Sequence, residues 1–201
     1  MRIRILLLFL ILIFFQNKNA KAQQAPVDLY VGNSFGMRGD TVSIDIKVNK
    51  FTNIISFQAS LNWDAGLLKY INVSDFGIKD LSENNFGIIK ADQGHVRFLW
   101  EPSNATALTV EDSTILFSAQ FEIITNTPQE VLIDFIDNIS TPAYPIEFAN
   151  STYEILTVNT HAGNITVISD LKDLVNLEST PFSSCDEKAP NGSLKADVNG
   201  D

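Results

Sequence analysis

The chain has 201 residues, room for one core of roughly 140–150 residues plus terminal segments. Hydrophobic residues make up 45% of it, with 14 Phe against 2 Trp and 2 Met, which excludes an intrinsically disordered chain. The formal net charge of −10 repels phosphate backbones and anionic lipid heads and so argues against nucleic acid or a membrane surface as partner.

In chain order, Arg2 and Arg4 precede an unbroken apolar run from Ile5 to Phe15, followed by the polar stretch Gln16 to Lys21. The run is well short of the roughly 20 residues of a membrane span. Ala20-Lys21-Ala22 supplies the small-x-small pattern read by a signal peptidase. Residues 1–22 are therefore expected to be a signal peptide, giving a secreted or cell-surface protein with no membrane insertion after cleavage. Its removal leaves 10 basic against 24 acidic residues, a net charge of −14.

From Val27 to Ile168 short alternating segments are separated by Gly, Asn, Asp and Pro clusters, the pattern of an all-β domain. Val27 to Val31 opens the series, and a glycine-punctuated loop from Gly32 to Gly39 leads into Thr41 to Val48. There Val42, Ile44, Ile46 and Val48 share one face. Ile54 to Asn62 sets Ile55, Phe57, Ala59 and Leu61 against Ser56, Gln58, Ser60 and Asn62. Gly66 to Ser74 and Phe86 to Lys90 follow. The turn signal Asp92-Gln93-Gly94 introduces His95 to Glu101, with Val96, Phe98 and Trp100 on the core side. Thr114 to Ile124 puts Ile115, Phe117, Ala119, Phe121 and Ile123 inward and leaves Leu116 and Ser118 outward. Val131 to Ile136, Tyr153 to Val158 and Gly163 to Ile168 bring the count to about nine strands, the signature of two sheets packed face to face.

Beyond the domain at 27–168, residues 169–191 read as a linker, with a short turn of helix at Ser169 to Asn176. Residues 192–201 read as the truncated start of a following module, which makes the sequence a fragment of a longer protein. Asp197-Val198-Asn199-Gly200-Asp201 matches the opening of a calcium loop. The alternation of Leu194, Ala196 and Val198 with Ser193, Lys195 and Asp197 favours instead a strand of a following β-repeat.

No catalytic or metal constellation emerges. His95 and His161 are far apart and lack metal-site spacing, and no nucleophile elbow, zinc-protease helix or phosphate loop is present. Cys185, the only cysteine, allows no intrachain disulfide and reads as a free thiol. The chain is read as a non-enzyme without cofactor.

Three stretches resemble the cohesin family: Val31-Gly32 with Arg38-Gly39-Asp40-Thr41-Val42, then Phe57 to Leu68, then His95 to Trp100 with Ile115 to Phe121. Gly163 to Val167 is similar to its closing strand. The resemblance implies a nine-stranded jelly-roll β-sandwich that binds a dockerin-like protein, in the setting of polysaccharide degradation, through outward side chains of one sheet. Carried over by position, those are Ser56, Gln58 and Ser60, then Arg97 and Leu99, then Leu116 and Ser118. Leu99 and Leu116 are expected to form an apolar centre, so that Leu116→Asp abolishes binding but not folding, whereas Phe117→Asp unfolds the domain. The departure from the family lies at Ser56 and Gln58, where Asn and Asp are often found. The alternative is a carbohydrate-binding or structural module of a surface adhesin. Against sugar binding, Phe98 and Trp100 fall on the core side, not in an exposed aromatic row.

Overall fold

A computed structural model describes residues 24–137 and 144–169, together with the backbone of the strands Val175–Thr180 and Ser193–Val198. The expected signal peptide, Cys185 and residues 199–201 of the calcium-loop pattern lie outside the described residues.

The strands are β1 (Val27–Val31), β2 (Ser34–Gly36), β3 (Thr41–Asn49), β4 (Ile54–Trp63), β5 (Leu68–Ser74), β6 (Phe86–Gly87), β7 (His95–Trp100), β8 (Thr114–Ile123), β9 (Gln129–Phe135), β10 (Glu147–Asn150), β11 (Val158–His161), β12 (Gly163–Val167), β13 (Val175–Thr180) and β14 (Ser193–Val198). One sheet has the order β11-β1-β3-β8-β5, and the other β2-β12-β9-β4-β7-β6 with β10 also paired to β4. The two form the expected all-β sandwich. β13 and β14 pair with each other in a separate antiparallel ribbon. Thus β13 occupies part of the expected linker, and Val175 and Asn176 are extended rather than helical.

Period-two alternation delivers the core. On β3 Val42, Ile44, Ile46 and Val48 are buried, and on β7 Val96, Phe98 and Trp100 are. Phe57 stacks on Trp100 and on Phe148, with centroids 5.2 and 5.1 Å apart, and meets Phe51 and Phe98 edge-on. Local side-chain and glycine chemistry sets the turns, the one signalled by Asp92-Gln93-Gly94 among them. Gly39 has φ 91°, and the Asp40 carboxylate accepts the Met37 amide at 2.8 Å. At the end of β4 the Asp64 carboxylate accepts the Gly66 amide at 2.8 Å. Gly94, with φ 82°, immediately precedes β7 at a point where a Cβ would lie 2.2 Å from the Trp63 carbonyl oxygen, so no other residue fits there.

Three expectations are corrected. First, the segment expected as a strand from Tyr153 to Val158 is not one, and only its last residue belongs to a strand, as the start of β11. The Asn150 side-chain oxygen accepts the amides of Thr152 and Glu154 and the Thr152 hydroxyl, folding this segment into a turn with Tyr153 at φ 61°. Strand pairing moves to β10 before it and β11 after it. Second, the loop from Gly32 to Gly39 contains β2, which pairs parallel with β12.

Third, Leu116 is not on the surface. β3 and β8 pair with Ile46 opposite Phe117 and Lys47 opposite Ile115, so Leu116 is the extra residue of a bulge. A bulge interrupts the alternation, and Leu116 joins Phe117 in the core at 0% and 1% exposure. Ser118 is buried as well, its hydroxyl donating to the Asp45 carboxylate at 2.8 Å. β8 also belongs to the sheet opposite β4 and β7, so Leu116 cannot complete a patch with Leu99.

Candidate partner-binding face

The other five sequence-predicted residues do come together. β4 and β7 are antiparallel neighbours in which Gln58 lies opposite Leu99, Ser60 opposite Arg97 and Asn62 opposite His95. All six point away from the core, because the residues between them, Phe57, Ala59, Leu61, Val96, Phe98 and Trp100, are the ones packed inward. Ser56 lies one step further along β4, opposite Ala149 of β10. The outer face of this sheet therefore carries a contiguous set from Ser56 to Asn62 and from His95 to Leu99.

Leu99 is 43% exposed, an apolar group at an outward position. Its carbonyl is tied to the Asn85 side-chain amide at 2.8 Å, which holds the edge of β7 where two-residue β6 no longer reaches. Beside it, Gln58 donates its amide to the Glu147 carboxylate at 3.0 Å and to the Pro145 carbonyl at 3.1 Å. On the same face, Asp134 of β9 sits opposite Asn62 and accepts its side-chain amide at 3.4 Å. Two residues back on β9 is Leu132, 58% exposed. Strand rise places it about 20 Å along the sheet from Leu99. Sequence reading passed over Leu132, although Val131, Ile133 and Phe135 as an inward set leave it outward.

Between the two leucines the face is partly covered. Tyr144 lies on it, with its hydroxyl donating to the Phe98 carbonyl at 3.0 Å and its ring 5.0 Å from the Arg97 guanidinium carbon. Burial pushes the Tyr144 phenol upward, and nearby Arg97 opposes that shift. Ser60, at 0% exposure, is not on the accessible surface, and its hydroxyl makes no hydrogen bond among the described residues. The loop residue Tyr144 gave no sequence signal, since its place depends on how the chain returns over the sheet.

His95 is 6% exposed. Desolvation first, then the positive charges of Lys90 and Arg97, hold its pKa below the ordinary 6.5. The unfolded chain therefore binds a proton on His95 at a pH where the folded one does not. Stability is full above about pH 6.5 and is lost as pH falls from there toward the lower folded value. Thermal melts between pH 7 and 5 are expected to show this decline and a shallower slope in His95→Asn. A parallel decline in both proteins would assign it to other groups. Asp28, held down by its 2.7 Å bond to the Lys50 ammonium, loses its contribution only at more acidic pH.

Among the described residues no group of three or more His, Cys, Asp or Glu could hold a metal ion, and no helix is long and apolar enough to cross a membrane. Among the described residues Phe35 and Tyr153 are the large aromatics well exposed, one on β2 and one in the turn after β10, and they form no row.

The sequence profile of the cohesin domain matches residues 27–167. No curated protein matches the chain. Among solved structures, a type I cohesin–dockerin complex from Clostridium thermocellum contains a chain 15% identical, with a TM-score of 0.58 over 72% of this chain and 100% of that one. A cohesin from Clostridium acetobutylicum is 18% identical, with a TM-score of 0.59 over 73% and 94%. A non-cellulosomal cohesin from Archaeoglobus fulgidus is 15% identical, with a TM-score of 0.53 over 72% and 93%. At these identities the likeness is one of fold.

Proposed function

Since the chain belongs to the cohesin domain family, we propose that it is a non-catalytic extracellular module that docks a dockerin-like protein on the outer face of β4 and β7. The observation that carries this reading is the outward pair Gln58 and Leu99, side by side in register on a sheet whose polar neighbours are already arranged around them. An apolar centre with a polar rim is what a specific protein interface needs. Ser56, Gln58, Arg97 and Leu99 are the contact residues of this reading, with Leu132 at the far end of the face. Ser60 supports from beneath, and Leu116 and Ser118 have no part in it. The acidic surface, the signal-peptide layout and the family together support export, and the class of partner is a dockerin borne by an enzyme acting on polysaccharide.

The test is Leu99→Asp, assayed by calorimetry against dockerin modules encoded in the same genome. A carboxylate forced into a desolvated contact is expected to weaken binding by about 100-fold or more. The melting temperature is expected to stay within about 2 °C, because an outward position hydrates the charge. Wild-type protein that binds no dockerin but gives specific signals on a glycan array would replace this reading with a carbohydrate-binding one.

A further inference from the structure

We propose that the recess between β6 and the start of β7 is a carboxylate-binding site that receives an Asp or Glu side chain of the protein partner. The proposal rests on the reading of this face as the docking face and goes beyond it in naming the chemistry of one contact.

The recess, about 200 Å³, is lined by Gly87, Ile89, Lys90, His95 and Arg97. Three of the five carry basic nitrogen and none carries a carboxylate, in a chain whose net charge is −10. Acids elsewhere on the surface are plentiful enough to pair Lys47, Lys50 and Lys69, yet no ion pair forms with Arg97 or Lys90 among the described residues. The local positive field is strong enough that Lys90 and Arg97 both oppose protonation of His95.

Arg97 makes the case specific. The Tyr144 ring stacks against its guanidinium, which fixes the group and leaves its in-plane N–H donors as the means of binding an acceptor. Among the described residues its Nε is buried and has no hydrogen-bond acceptor. Such an orphaned donor raises the free energy of the unliganded state. An oxyanion entering the recess meets the guanidinium that lines it, and a carboxylate matches the planar fork better than a single oxygen does. The rest of the wall suits an acidic side chain on a polypeptide. Ile89, 93% exposed, offers a surface for the methylene stem, and Leu99 two residues beyond Arg97 continues the apolar contact.

The site can be read directly in the full chain labelled with ¹⁵N, using sodium propionate as the side-chain probe and propionamide as its neutral counterpart. Propionate is expected to shift the Arg97 Nε–Hε and His95 ring resonances saturably. Propionamide is expected to bind at least tenfold more weakly, and Arg97→Gln to abolish the response. Because Arg97 is partly buried, Lys90→Gln provides a second variant at an exposed position. It is expected to weaken propionate severalfold with an unchanged melt. Equal responses to both probes, or propionate shifts confined to Lys47 and Lys69, would overturn the proposal. The dockerin measurement separates the two readings. A dockerin that binds wild type, Arg97→Gln and Lys90→Gln with one affinity removes the carboxylate contact and leaves the docking face standing. Propionate capture at Arg97 without any dockerin binding supports the site and removes the dockerin.

Discussion

Leu116→Asp is expected to unfold the sandwich, with a loss of roughly 4 kcal/mol or more, the scale for an unpaired carboxylate placed in a core. The side chain is fully buried, and the bulge that places it there is anchored on both sides. Ile46 and Lys47 flank it across β3, and the Leu116 carbonyl accepts the Gly77 amide at 3.0 Å. A domain of this size has about 5–15 kcal/mol of total stability, so much of it is removed at once. Phe117→Asp, the next residue and also core, is expected to be equally damaging. Circular dichroism melts of both, beside Leu99→Asp, are the measurement. A native-like melt for Leu116→Asp would mean that β8 lacks the bulge and that its outer side faces solvent.

Trp100→Ala is expected to cost about 3–5 kcal/mol, lowering the melting temperature by about 10–20 °C. Trp100 is the largest fully buried side chain and stacks on Phe57, with Phe51 against it at 6.1 Å. Its indole N–H also donates to the Lys79 carbonyl at 2.8 Å, which pins the segment between β5 and β6 to the sheet. Trp100→Phe keeps most of the apolar volume and loses that bond, so its cost is expected to be nearer 1–2 kcal/mol. If the two variants melt alike, the hydrogen bond and not the packing is what Trp100 contributes.

These two residues show where a sequence is readable and where it is not. Trp100 falls on the core side because β7 alternates without interruption from His95, and every inward residue named for it is buried. On β8 the same rule gives Phe117, Ala119, Phe121 and Ile123 correctly and fails at Leu116, because a one-residue bulge depends on the partner strand and leaves no mark in the residues themselves. Sheet membership is likewise a property of pairing. β7 and β8 are successive long strands with similar patterns, yet they lie in opposite sheets. Gln58, Arg97 and Leu99 could be placed on one outward face from sequence because the family resemblance named the strands and alternation named the faces. Tyr144 was invisible, because it reaches the site from a loop across a sequence separation of 46 residues from its bonded carbonyl.

The way the two ends of the domain are fastened bears on how it would carry tension. β1 runs parallel to β11, and β2 runs parallel to β12, so the first and last segments cross between the sheets side by side. They touch where a Cβ on Gly163 would sit 2.1 Å from the Gly32 carbonyl oxygen. A pull on the entering chain and on the leaving chain therefore acts along parallel strands in opposite directions. The evenly spaced bonds of a parallel ladder are then loaded together, as in a lap joint, and are not peeled one at a time. Resistance to such a pull is governed by the unfolding barrier, so a module of this topology can be mechanically tougher than its melting temperature suggests.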